Sequence, residues 1–255
     1  MRTGILITAR LGSTRLKRKH LKEVMGIPLL GYLLDRIGRE FQKEISEGQV
    51  QVVIATSDEP ENRDFESLLP AGAAIFYGSL SNIPLRHLQA AQALGLERIV
   101  SVDGDDMLCS VSGMRQVYSA LAQGSPYAKT AGLPFGMNSF GYSTGFLEEA
   151  LGGHQKETLE TGWGRIFKDS AVKEIAMFPL SDNPRLRFTL DYQDDFDFFD
   201  AVIRALGDSV CRADDQKIVD TVNSAGLYNI NAAIAEEYWS NFNKIVEKEV
   251  CVHEP

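Results

Sequence analysis

A chain of 255 residues, 44% hydrophobic and 24% charged, is long enough for one large domain or two small ones and has the polarity of an ordinary water-facing protein. Its formal charge of −9 argues against a nucleic-acid binder, which normally carries a basic excess, and no apolar run approaches the length of a membrane span. Three widely spaced cysteines, Cys109, Cys211 and Cys251, fit reduced thiols in a cytoplasm, and four histidines without metal-site spacing argue against zinc.

Residues 4–9 read as a first strand, with no signal-peptide apolar region before or after it. The strand runs into a Gly/Ser loop in which every charged side chain from Arg10 to Lys22 is basic. An acidic protein that gathers cations on such a loop presents a polyphosphate site: glycine admits backbone N–H groups to phosphate oxygens, and Ser, Arg and Lys add donors. A solvated basic surface is the alternative, but ligands of open α/β sheets bind outside the carboxyl ends of strands, where this loop falls. Neither G-x-G-x-x-G nor G-x-x-x-x-G-K-[ST] is present.

A helix is expected over residues 28–41, with Leu29, Leu30, Leu33, Leu34 and Ile37 on one stripe. A strand at 50–56, a short helix at 59–69, a strand at 73–77 and a helix at 84–94 closed by Gly95 follow. A strand at 98–102 and a helix from Ser110 or Ser112 to about 122 complete the series. This β-α-β-α rhythm predicts an α/β fold, a Rossmann-like, mostly parallel sheet with helices on both faces. Residues 126–170 are rich in Gly, Ser, Thr and aromatics without a period, and read as irregular strands and loops forming a lid or subunit contact. Strands are expected at 171–178 and 185–190, and helices at 194–206, 214–224 and 231–242. No repeat or linker divides the chain, so one domain is expected over 1–255, with 126–185 as an irregular β-rich insertion.

Two acidic groups stand at expected strand ends. Asp103, Gly104, Asp105 and Asp106 follow the fourth strand, and Asp191 follows the segment holding Arg187. Strand ends of a parallel sheet share an edge, so the groups can meet there, and Mg²⁺ takes one or two carboxylates plus substrate phosphates. The competing roles are a turn with capping aspartates for the first group and a helix N-cap for Asp191.

Ala9-Arg10-Leu11-Gly12-Ser13-Thr14-Arg15-Leu16-x-x-Lys19 resembles the A-R-x-G-S-x-R-x-P-x-K signature of the cytidylyltransferases that make CMP-activated sugars, closest to the SpsF-type surface-polysaccharide branch. Ala55-Thr56-Ser57-Asp58, Val102-Asp103-Gly104-Asp105, the Gly78-Ser79 and Arg86 segment, and the run from Leu186 to Phe196 resemble further family segments in the same order. Lys17-Arg18 stands in place of Pro-Gly, Met107 in place of a proline, and Glu160-Thr161-Gly162-Trp163 where the branch has an E-H-V-T-like stretch.

The resemblance implies a nucleotide-diphospho-sugar transferase-like fold and transfer of CMP from CTP to a sugar acid with loss of pyrophosphate. It assigns Arg10, Lys19, Asp105 and Asp191 to catalysis, and Asp105 and Asp191 to Mg²⁺. Ala9, Arg10, Gly12, Ser13, Arg15, Lys19, Ser79, Arg86 and Asp103 would bind CTP. Asn138, Tyr142, Trp163, Arg165 and Arg187 are the candidates for a small sugar-acid acceptor, with packing or interface roles as their alternatives. It also implies a homodimer in the cytoplasm with neither nucleic acid nor membrane as partner. The competing expectations are transfer to a sugar phosphate, polyol phosphate or phosphonate, and a nucleotide-binding homologue without turnover.

Overall fold

The computed structural model describes residues 1–167 and 171–251. In chain order these form β1 (Thr3–Thr8), β2 (Glu23–Val24), β3 (Ile27–Pro28), α1 (Leu29–Glu40), α2 (Gln42–Ser46), β4 (Val50–Ser57), β5 (Ala74–Gly78), α3 (Ile83–Leu94) and β6 (Arg98–Asp103). They continue through α4 (Val111–Ala122), β7 (Tyr127–Ala131), β8 (Phe140–Ser143), α5 (Thr144–Leu151), β9 (Val172–Ala176), α6 (Gln193–Leu206), α7 (Asp215–Ser224) and α8 (Ile234–Cys251). None of the described helices is long and apolar enough to cross a membrane.

Seven strands make one sheet in the order β5-β4-β1-β6-β8-β7-β9. β5, β4, β1 and β6 run parallel, β8 is antiparallel to both neighbours, and β9 is parallel to β7. The expected mostly parallel sheet with helices on both faces is therefore present. Strand periodicity builds the two faces. Ile5, Ile7, Val52 and Ile54 pack with Leu33, Leu34, Ile37 and Val117 of α1 and α4, while Leu6, Val53 and Ala55 pack with Leu88, Ala91, Tyr142 and Leu147 on the other side. Each such side chain contributes about 1.5–3 kcal/mol when fully buried, so a one-residue slip of β1 would exchange the two faces at prohibitive cost. A further core joins Phe198, Phe199, Val202 and Ile203 of α6 to Phe188, Leu190 and Met107.

Local chemistry sets the boundaries. Asn82 caps α3 by accepting from Leu85 N, Pro84 occupies its first turn, and Gly95 ends it at φ +64°. Ser110 caps α4 through Gly113 N at 2.8 Å.

Four sequence expectations are corrected. Residues 59–69 form 3-10 turns, Pro60–Leu68, because the Asn62 side chain is pulled inward. It donates to the Ser57 carbonyl at 3.0 Å and accepts from Leu11 N at 2.8 Å. The segment at 185–190 is extended but adds no strand to the sheet: Phe188 N donates to Phe135 O at 2.8 Å and Leu190 N to Asp105 O at 2.9 Å. Residues 126–185 continue the sheet with β7, β8 and β9, and add α5; within that span, 168–170 lie outside the described residues. The helix expected at 231–242 begins at Ile234 and runs to Cys251.

Candidate active site

A cleft of about 510 Å³ opens beyond the carboxyl ends of β1 and β6. That is where the strand order reverses: after β1 the chain places β4 and β5 on one side, then returns to place β6 on the other. Its walls come from the loop after β1, the loop after β6, the start of α3, residues 160 and 161, and α8.

Lys19 sits at the floor, 5% exposed. Its Nζ donates to Asp105 Oδ2 at 2.6 Å and to the Leu190 carbonyl at 2.7 Å, and lies 3.5 Å from Asp191 Oδ1. Burial alone would favour the neutral amine, but Asp105 and Asp191 outweigh it and raise the Lys19 pKa. Asp105 is half-buried, and although that desolvation opposes ionisation, Lys19 and His20 hold its carboxyl well below the usual aspartate range. His20 Nε2 lies 2.9 Å from Asp105 Oδ1, off the line of a well-aligned hydrogen bond.

Asp191 is enclosed by cations. Arg15 Nη2 reaches its Oδ1 at 2.7 Å, and Arg187 Nη2 its Oδ2 at 3.0 Å. Burial and Asp105 oppose ionisation of Asp191 and raise its pKa, whereas Lys19, Arg15 and Arg187 favour the anion. Beneath it, the fully buried Asp195 accepts from Arg187 Nε at 3.0 Å, from the Asp191 and Tyr192 N–H groups at 3.0 and 3.1 Å, and from Asn231 Nδ2 at 2.9 Å. Asp195 thus closes the first turn of α6 and fixes the backbone that carries Asp191. Together with the Leu190 N to Asp105 O bond, this brings two carboxylates 86 positions apart in sequence to one ammonium.

Asp103 opens into the same cleft. Partial desolvation at the cleft wall, and then the Asp105 carboxylate, raise its pKa above the ordinary aspartate value. Asp106 is likewise raised well above the usual carboxylate range by burial and by Asp103.

Gly104 separates these acids for a steric reason. A Cβ there would lie 2.7 Å from the Thr8 carbonyl and 2.9 Å from Ala9 Cβ, and Gly104 N donates to that same carbonyl at 2.8 Å. Gly104→Ala is expected to cost about 1–3 kcal/mol through overpacking. By displacing Asp105 from the β1 loop, it should also lower turnover on the order of 10²-fold. Denaturant melts and initial rates on one preparation check this, and unchanged rates would refute the steric reading.

Arg10 pairs bidentately with Glu160, at 2.8 and 3.4 Å. Ala9, Gly12 and Ser13 line the cleft with it. Arg86 lines the cleft, but its guanidinium is committed to the carbonyls of Ser79, Leu80 and Ala55 at 2.8, 2.9 and 3.4 Å. Burial and the facing Arg10 push it down to about 10. Arg86 therefore holds the loop after β5, to which Ser79 belongs, in shape.

The five acceptor candidates are placed outside the cleft lining. Asn138 braces a turn by donating to the Leu133 carbonyl at 2.9 Å. Tyr142 is fully buried, its hydroxyl 2.6 Å from His87 Nδ1, and His87 Nε2 meets Thr8 Oγ1 at 2.7 Å. Burial drives His87 down to about 3, so this network under β1 is neutral. Trp163 packs against His87, Phe140 and Phe167. Arg165 ties the chain at 158–161 to Glu249 of α8. Arg187 gives its Nε and Nη2 donors to Asp191 and Asp195 and lies over the rings of Phe135 and Tyr238.

Lining residues that the sequence did not single out include Thr8, His20, Leu80 and Ile83, and Asn241, Lys244, Ile245 and Lys248 of α8. The 3-to-4 spacing of the α8 positions was the available signal, but no apolar stripe marks it.

Asp105 and Asp191 fit a hard cation by chemistry: two carboxylates from separate segments converge on a point now filled by an ammonium. Among the described residues no group of three His, Cys, Asp or Glu is arranged to hold a metal, but Mg²⁺ completes its shell with substrate phosphates and water.

The family model described as Cytidylyltransferase matches residues 4–156, which span β1 to α5 and hold the basic loop and Asp105. The chain belongs to the cytidylyltransferase family. Among the family's curated members, the 3-deoxy-manno-octulosonate cytidylyltransferase of Anaeromyxobacter dehalogenans is 30% identical over 130 residues, 50% of either chain. The chain thus spans about half the length of that relative. A cytidylyltransferase structure from Leptospira borgpetersenii superposes with TM-score 0.75 at 20% identity, covering 89% of this chain and 96% of its own. The CMP:2-keto-3-deoxy-manno-octonic acid synthetase solved with CTP superposes with TM-score 0.59 at 14% identity, covering 80% and 99%. At these identities the structures share the cytidylyltransferase fold.

Proposed function

We propose that the chain transfers CMP from CTP to a sugar acid of the Kdo or nonulosonic type, releasing pyrophosphate, for surface polysaccharide assembly. The observation that carries this is the convergence, on Lys19 and Arg15 of the basic loop, of Asp105 in the cleft lining and of the buried Asp191 beside it. An acceptor oxygen attacks the α-phosphorus of CTP as the bond to the leaving pyrophosphate breaks. Positioning and charge stabilisation supply most of the rate for such a step.

Arg10, Arg15 and Lys19, with Gly12 and Ser13 at the cleft wall, bind the triphosphate and neutralise the departing pyrophosphate. Leu80 and Ile83 offer an apolar surface for the cytosine ring, and Arg86 keeps that loop in place. Asp195 and Arg187 orient Asp191. Asp105 and Asp191 would hold Mg²⁺, which supplies Lewis acidity to phosphate oxygens and to the acceptor hydroxyl.

The test is pyrophosphate release from CTP with Mg²⁺ across Kdo, N-acetylneuraminate and phosphorylated acceptors, with UTP and ATP as controls. CTP-specific release with a sugar acid is the expected result; release only with a phosphorylated acceptor would move the assignment to that class. Chelation with EDTA should reduce the rate at least ~10²-fold and added Mg²⁺ should restore it. A rate indifferent to EDTA would remove the cation from the scheme.

A further inference from the structure

Six basic side chains line the cleft, facing three carboxylates. Four of the six are already engaged: Arg10 with Glu160, Arg15 with Asp191, Lys19 with Asp105 and the Leu190 carbonyl, and Arg86 with three carbonyls. The other two, Lys244 and Lys248, stand one helical turn apart on α8, and neither has an ion-pair or hydrogen-bond partner among the described residues. They are not on the triphosphate loop.

α8 is tied down at both ends of its cleft-facing stretch. Asn241 donates to the Tyr192 hydroxyl at 3.0 Å, beside Asp191. Tyr238 and Trp239 pack on Phe135, and the Arg187 guanidinium lies 4.3 Å from the Tyr238 ring centre. At the far end the buried Glu249 accepts from Thr161 N at 2.9 Å and from Arg165 at 3.1 Å, next to the Arg10–Glu160 pair. The helix therefore runs from the carboxylate cluster to the strap that covers Arg10, with both lysines in between.

Resting on the nucleotidyl-transfer reading above, we propose that Lys244 and Lys248 bind the anionic group of the acceptor, its carboxylate or its phosphate. In-line displacement requires the acceptor to be held by groups other than those gripping the leaving pyrophosphate. Arg187, the fork first expected to take an acceptor carboxylate, spends its Nε and Nη2 donors on Asp191 and Asp195 and does not line the cleft. The α8 lysines accept an anion without breaking an existing pair. They also turn a cleft lined by four cations and three carboxylates into one with a clear positive excess inside an acidic protein.

The experiment uses K244Q/K248Q and, as rescue, K244R/K248R. Steady-state KM values are measured for CTP and for each acceptor. Calorimetry with a non-hydrolysable CTP analogue present measures binding of Kdo as the carboxylate probe and glycerol 3-phosphate as the phosphate probe. Expected is a rise of about tenfold or more in acceptor KM or Kd for K244Q/K248Q, with KM for CTP within about twofold of wild type and recovery in the Arg variant. The probe that loses affinity identifies the anion. An unchanged acceptor constant, a rise confined to CTP, or no binding of either probe to the wild-type protein overturns the proposal. Absence of turnover with measurable probe binding would instead count against the transfer reading, and the calorimetric comparison would still decide the role of the lysines.

Discussion

Lys19→Met is expected to destabilise the protein by about 3–5 kcal/mol and to lower turnover on the order of 10²–10³-fold. The substitution keeps the length of the side chain and removes the charge that Asp105 and Asp191 share at 2.6 and 3.5 Å. Asp191 is buried and Asp105 is half-buried, so the loss leaves like charges facing each other with limited water to screen them. The pH dependence gives the sign. Lys19 has a raised pKa, so its contribution is complete below the ordinary lysine value of about 10.4 and fades as pH climbs through its raised value. Asp105 has a lowered pKa, so its contribution is complete above about 3.9 and fades as pH falls through the depressed value. The stability gap between wild type and Lys19→Met should be widest from roughly pH 5 to 9 and shrink in acid, where the variant's carboxylates take up protons. Urea melts across that range measure it. A gap that is flat with pH would show that the ammonium acts by packing alone.

Asp195→Ala should be nearly as severe although Asp195 does not line the cleft. Five donors converge on its carboxylate: two from Arg187, the Asp191 and Tyr192 amides, and Asn231. Truncation leaves a buried guanidinium half-paired and two amides without acceptors, a loss of about 3–5 kcal/mol and, for a chain of this size, a fall in Tm of roughly 10 °C. Turnover should drop with it because Asp191 loses the turn that aims it. Asp195→Asn keeps the shape and removes the charge, and is expected to fall between wild type and Ala in both readouts. Thermal melts and initial rates that leave Asp195→Ala close to wild type would remove Asp195 as a positioning residue.

Periodicity made the first half of the molecule legible. β1, β4 and β6 are buried strands bounded by turn residues, and α1 and α3 announce themselves by stripe and cap. The site's basic loop and two acid groups were legible because charge type and strand-end position coincide. The acceptor side was not. Tyr142 and Trp163 are chemically capable of stacking on a ligand, yet both complete an aromatic cluster with Phe167, a distinction set by tertiary packing. Arg187 reads identically whether its fork meets a substrate or Asp195, and only the approach of α6 decides. Residues 126–170 read only as irregular strands and loops because β7 and β8 are five and four residues long, with Gly141 inside β8. Gly136, at φ +85°, sits where a Cβ would collide with the Phe188 carbonyl. The C-terminal half of α8 carries no apolar stripe on the face it turns to the cleft, where Lys244 and Lys248 stand.

The contact between Lys19 and Asp191 joins residues 172 positions apart. A ribosome adding 5–20 residues per second delivers the second partner about 10–30 s after the first. Within that interval, once residue 103 has been added, β1, β4, β5 and β6 are all present and can pair. The cationic loop meets Asp105 at that stage but waits for Asp191. Synthesis order thus gives a nascent chain that has its scaffold before Asp191, and a chain truncated before residue 191 would keep four parallel strands while lacking the carboxylate that Arg15 and Arg187 enclose.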